Sequence, residues 1–82
     1  MATWIIRKYD GSKPQGEWTV RVLTAPEIHV MLQRLASRYL TDDEVIDSSV
    51  RRNHSGYRPL LEPIGRDIHY GEGIYYIADI QK

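Results

Sequence analysis

At 82 residues, with 41% apolar and 27% charged side chains, the chain has the composition of one folded domain and not that of a disordered segment. Eleven Lys and Arg balance eleven Asp and Glu, so no overall field draws the protein toward nucleic acid or an anionic membrane. The absence of Cys excludes disulfides, thiolate catalysis and Cys-ligated zinc; with no membrane-length apolar run and no secretory leader pattern, a cytoplasmic location is expected.

The first two runs, Thr3 to Tyr9 and Glu17 to Leu23, are rich in β-branched and aromatic residues. In the second, Trp18, Val20 and Val22 alternate with Thr19, Arg21 and Leu23, the period of a strand. The intervening Asp10-Gly11-Ser12-Lys13-Pro14-Gln15-Gly16 predicts a hairpin with a tip of about seven residues, longer than the tightest loops.

Thr24-Ala25-Pro26-Glu27 matches a capping box, in which the Thr24 hydroxyl and the Glu27 carboxylate each satisfy an orphan backbone N–H. Pro26 falls in the first turn, where its missing N–H does no harm. Ile28, Met31, Leu32, Leu35 and Tyr39 then follow the spacing of one helical face, with Gln33, Arg34, Ser37 and Arg38 on the other. Val30 points away from that stripe.

From Thr41 onward two signals conflict. Thr41-Asp42-Asp43-Glu44 is a second capping box, whereas Val45 to Val50 is poor in helix formers and alternates loosely. A strand from about Val45 to Arg52 is expected here, because Asn53-His54-Ser55-Gly56 then supplies a turn into Tyr57-Arg58-Pro59-Leu60-Leu61. Pro59 confines that return strand to an edge or a bulge. The alternative is a helix with Asp42, Asp43 and Glu44 at its positive end and Arg51 and Arg52 at its negative end. Glu62 to Gly73 reads as irregular chain around a short extended piece, Asp67 to Tyr70. The run Ile74 to Ile80 is apolar or aromatic on both faces, which places it inside a sheet.

Together these elements predict an α+β, two-layer sandwich: one main helix on a mixed or antiparallel sheet of four to five strands, in the order β-β-α-β-β-β. In element order alone, an opening hairpin, a packed helix and a closing central strand resemble the β-grasp, ubiquitin-like arrangement. The sequence ends Ala78-Asp79-Ile80-Gln81-Lys82 in place of the Gly-Gly of ubiquitin-like modifiers, so neither conjugation nor sulfur transfer is expected.

The aromatic residues are six Tyr and two Trp, with no Phe, so every ring carries a polar tip. Such rings suit half-buried sheet faces and binding surfaces. One helix covers one face of a small sheet, and Trp4, Trp18, Tyr75 and Tyr76 are the candidates for the other, as anchors for a protein partner or for self-association. Arg51, Arg52, His54 and Arg58, with Tyr57 among them, form a local basic cluster suited to single-stranded nucleic acid, with acidic Asp42, Asp43, Glu44 and Asp47 close by in sequence. The three His lack metal-site spacing; His29 reads as a surface or capping residue and His54 as a turn residue. Asp67, His69 and Glu72 are the one grouping with acid–base or metal-binding potential, and their spacing is common by chance. No nucleophile elbow, phosphate loop or metallohydrolase signature occurs. The sequence therefore leads to the expectation of a non-catalytic binding module with no cofactor and no metal.

Overall fold

The computed structural model describes residues 3–21, 24–64 and 68–81. In chain order the elements are β1 (Thr3–Asp10), β2 (Lys13–Arg21), α1 (Ala25–Ser37), α2 (Asp42–Ser49), β3 (Ile68–Tyr70) and β4 (Ile74–Gln81). The four strands lie in the order β2-β1-β4-β3, and every neighbouring pair is antiparallel. The α+β class is as expected, and the run ending the sequence does lie inside the sheet. The β-grasp-like order is not found, because a second helix stands where a strand was expected; the four strands of the described residues fall within the expected four to five.

The opening hairpin is tighter than expected. Asp10 pairs with Lys13, so the turn is only Gly11-Ser12. Gly11 adopts φ 62°, a conformation that disfavours a side chain, and its N–H donates to the Gly73 carbonyl at 2.8 Å. Pro14 lies inside β2 because β2 is an outer strand, where a missing N–H breaks no ladder on the solvent side. The register slips between Lys8 and Tyr9, as Lys8 faces Gly16 and Tyr9 faces Pro14. Val22 and Leu23, assigned to this strand from sequence, lie outside the described residues.

Helix α1 starts as its capping box dictates. The Thr24 hydroxyl accepts from the Glu27 N–H at 3.4 Å, and the Glu27 carboxylate accepts from the Thr24 N–H at 2.9 Å. From the stripe, Ile28 and Leu32 are fully buried together with Ala36, while Met31 and Leu35 pack at the margin. The buried row is narrower than the sequence stripe because α1 lies chiefly over β4 and β3. Against it pack Trp4 and Ile6 of β1, Tyr70 of β3, and Tyr76 and Ala78 of β4. Tyr39 falls beyond the helix end and is exposed, as is Val30.

The expected strand at 45–52 is instead α2. Its capping box is complete, with Thr41 and Glu44 exchanging hydrogen bonds, and Asp42, Asp43 and Glu44 meet the positive end of the helix dipole. The two Ser that argued for a strand turn their hydroxyls back into the helix, both donating to the Val45 carbonyl. Arg51 and Arg52 lie past the helix and not in its last turn. The chain then turns through 51–57, held by the N–H groups of His54 and Tyr57 on the carbonyls of Arg51 and His54. No return strand forms at Tyr57–Leu61; the Arg58 N–H donates to the Asp47 carbonyl, folding this segment back on α2.

The capping boxes generate two expectations. Replacing Thr24 with Ala removes the cap of the helix that brings Ile28, Leu32 and Ala36 to the core, and the expected loss is about 1 kcal/mol in urea unfolding. Hydrogen bonds from Thr24 and Thr41 hold the Glu27 and Glu44 carboxyls below their ordinary range. A carboxyl depressed in the folded state stabilises above the unfolded pKa, and that contribution disappears as the pH falls through the folded one. Helicity is therefore expected to drop as the pH falls through and below the ordinary glutamate range. Glu27→Gln, which keeps the box but cannot ionise, should shrink the drop.

Candidate functional site

In a strand, successive side chains point to opposite faces, and in an antiparallel ladder directly opposed residues share a face. Trp4 stands opposite Ile80 and Val20, Ile6 opposite Ala78 and Trp18, and Lys8 opposite Tyr76, so all of these belong to the α1 face. The other face carries Ile5, Arg7 and Tyr9 of β1, Tyr75, Ile77 and Asp79 of β4, Glu17 and Thr19 of β2, and His69 of β3. Neither described helix packs over it.

Two features organise this open face. The first is a row of rings across three strands. Tyr9 and Tyr75, directly opposed, stack with centroids 5.3 Å apart and planes inclined by 18°, and His69 lies 4.7 Å from Tyr75 on its far side. All three are half-buried. The second is Arg7, one step along β1. Its Nε donates to Glu17 of β2 and its Nη1 to Asp79 of β4, both at 3.0 Å, so one guanidinium spans three strands. Such exposed ion pairs contribute only about 0–1 kcal/mol each. Their main effect is to hold the Arg7 head in place on the open face, where Arg7 stands opposite Ile77 and one register step from the Tyr9–Tyr75 pair.

Of the four rings expected here, the structure places one. Tyr75 lies on the open face; Trp4 and Tyr76 lie in the core beneath α1, and Trp18 lies on the α1 face at the outer strand, about half exposed. Strand geometry forbids all four on one face, because the adjacent residues Tyr75 and Tyr76 must point opposite ways. Tyr9, His69 and Arg7 were missed as members of the face. Their signal was the shared parity of Arg7 and Tyr9 on β1, which becomes informative only once the register with β4 is known.

The polar tips of the enclosed rings are paired. Tyr70 shares a hydrogen bond of 2.8 Å with His29 Nδ1, which makes His29 a partner of the core and not only a surface residue. Burial raises the Tyr70 and Tyr76 phenols. Lys8 Nζ donates to the Tyr39 hydroxyl and sits 4.9 Å from that ring's centroid, close to Tyr76 as well. That hydrogen bond lowers the Tyr39 phenol and raises the Lys8 ammonium.

The basic cluster is interleaved with acids. Arg52 pairs with Glu62, and Arg58 lies 3.7 Å from Glu44. Tyr57 is half-buried beside them, its phenol raised by desolvation and then by Glu62. Arg51 is exposed. In the Asp67, His69, Glu72 grouping, Asp67 lies outside the described residues, His69 belongs to the ring row and Glu72 is exposed in the β3–β4 turn. Among the described residues no three His, Asp or Glu gather in a way that could hold a metal ion, and no helix is long and apolar enough to cross a membrane.

No known protein family, curated protein or solved structure matches this chain.

Phenol titration tests the placement of the rings. Followed by tyrosinate absorbance, Tyr39 should ionise below the ordinary tyrosine range, Tyr70 and Tyr76 above it. Lys8→Met should move the Tyr39 step upward, and Tyr39→Phe should delete it.

Proposed function

We propose that the protein is a small non-catalytic binding module that recognises a protein partner through the open sheet face, with Tyr75, Tyr9 and His69 as anchors and Arg7 as the polar contact. The observation that carries this reading is the ring row itself: three half-buried aromatic side chains packed on one another across three strands, on a face that neither described helix covers. Pre-packed rings lose little side-chain freedom on binding, and Tyr and Arg are the residue types enriched where interfaces concentrate their energy. Arg7, already fixed by two carboxylates, is positioned likewise.

The charge pattern favours protein over nucleic acid. Among the described residues of the open face, Arg7 and Arg21 are matched by Glu17 and Asp79, which leaves no excess to neutralise phosphates. Single-stranded nucleic acid at Arg51, Arg52, Tyr57 and Arg58 is the weaker alternative, since Glu62 and Glu44 already engage two of its three guanidinium groups.

The test compares proteins captured from source-cell extract by the wild-type chain and by folded Tyr9→Ala and Tyr75→Ala variants. A partner retained by the wild type should lose at least about tenfold in affinity on either substitution. Unchanged affinity in both variants would refute the open face as the contact surface. Binding of a labelled single-stranded oligonucleotide at low salt, weakened by Arg51→Ala and falling steeply as salt rises, would favour the alternative.

A further inference from the structure

A second unfilled surface lies on the α1 side of the sheet. Because α1 packs chiefly over β4 and β3, the apolar side chains above β2 meet only the flank of the helix. Ile6 forms the floor of a trough there, Trp18 and Val20 one wall, and Met31 and Leu35 the other; its volume is about 240 Å³. Met31 and Leu35 also border the outer surface of α1 around Val30, so the apolar strip continues over the helix. Trp18 is 48% exposed and Val30 45%, large apolar groups left at the rim of this strip. Gly16 makes room for the indole: a Cβ there would meet the Trp18 ring at 2.8 Å.

The trough runs along β2, an outer strand whose described residues pair with β1 alone. Features that discourage strand addition, Lys13, Pro14 and the register slip, all sit at its turn end. From Glu17 to Arg21 the edge has neither Pro nor Gly nor irregular register.

We infer that this stretch of β2 is a homodimer interface, in which the β2 strands of two copies pair antiparallel about a twofold axis through Thr19. A twofold contact requires a self-complementary edge, and this one meets the requirement in charge as well as shape. With Thr19 on the axis, Glu17 faces Arg21 of the second copy and Arg21 faces its Glu17, two opposite-charge pairs on the open face. On the α1 face, Trp18 meets Val20 of the second copy, and the two troughs become one. Centring the axis on Glu17 sets that carboxylate against its own copy, and centring it on Trp18 brings no opposite charges together. The formal net charge of zero adds no overall repulsion between copies. This edge shares Glu17 with the Arg7 ion pair but none of the rings of the open face, so loss of the dimer on Trp18→Ser and loss of a partner on Tyr75→Ala can be told apart.

Sedimentation of the full chain across a wide concentration range is the test. The wild type should be a dimer at high concentration and dissociate on dilution. Arg21→Glu, which faces Glu17 of the second copy with a like charge, should weaken dimerisation about tenfold. Trp18→Ser should weaken it through the trough, independently of charge, while Tyr75→Ala should leave it unchanged; circular dichroism confirms that each variant is folded. A wild type that stays monomeric throughout, or a dimer indifferent to Arg21→Glu and Trp18→Ser in folded variants, would overturn the inference.

Discussion

The strict alternation of side chains along a strand, combined with a single helix packed on the sheet, is the constraint on which everything else depends. Alternation sends Trp4, Ile6, Tyr70, Tyr76 and Ala78 to one side, where Ile28, Leu32 and Ala36 of α1 meet them. Each large apolar side chain enclosed there contributes about 1.5–3 kcal/mol. The opposite side, with ion pairs contributing about 0–1 kcal/mol each, adds far less to holding the fold.

The polar-tipped rings therefore divide into two populations with different work. Tyr70 is enclosed and pairs with His29, while Tyr76 packs near Lys8 and Tyr39, so that side of the sheet ends in satisfied polar groups at the rim of the core. Tyr9 and Tyr75 share the solvent side with His69 and cover one another. An all-Tyr and Trp inventory is compatible with both roles, and it is the register between β1 and β4 that assigns each ring. The outer strand β2 adds a third situation: Trp18 points toward the α1 layer but lies beyond the part of the sheet that the helix covers.

Local signals were legible in the sequence wherever neighbouring residues decide the structure. Both capping boxes form, the α1 stripe is largely right, and the apolar run at 74–80 lies between two strands. The error at 45–52 came from weighting side-chain propensity above the cap. The complete capping box and three acids at the helix start outweigh Val45 and Ile46, while Val50 is extended and ends the helix. The error in the site has another origin. Which of Trp4, Trp18, Tyr75 and Tyr76 share a face depends on long-range register, and the slip at Lys8/Tyr9 is invisible without the partner strand. Tyr75 and Tyr76 nevertheless could have been separated from sequence, because adjacent strand residues never point the same way.

The most direct test of the account is the solvent exposure of individual rings, read from the aromatic NMR signals of the full chain with a soluble paramagnetic agent. Tyr9, Tyr75 and His69 should be strongly broadened, with Tyr70, Tyr76 and Trp4 protected. Protection of Tyr9 and Tyr75 equal to that of Tyr70 would show the second face to be covered, and would contradict the division of the sheet on which the proposed function rests.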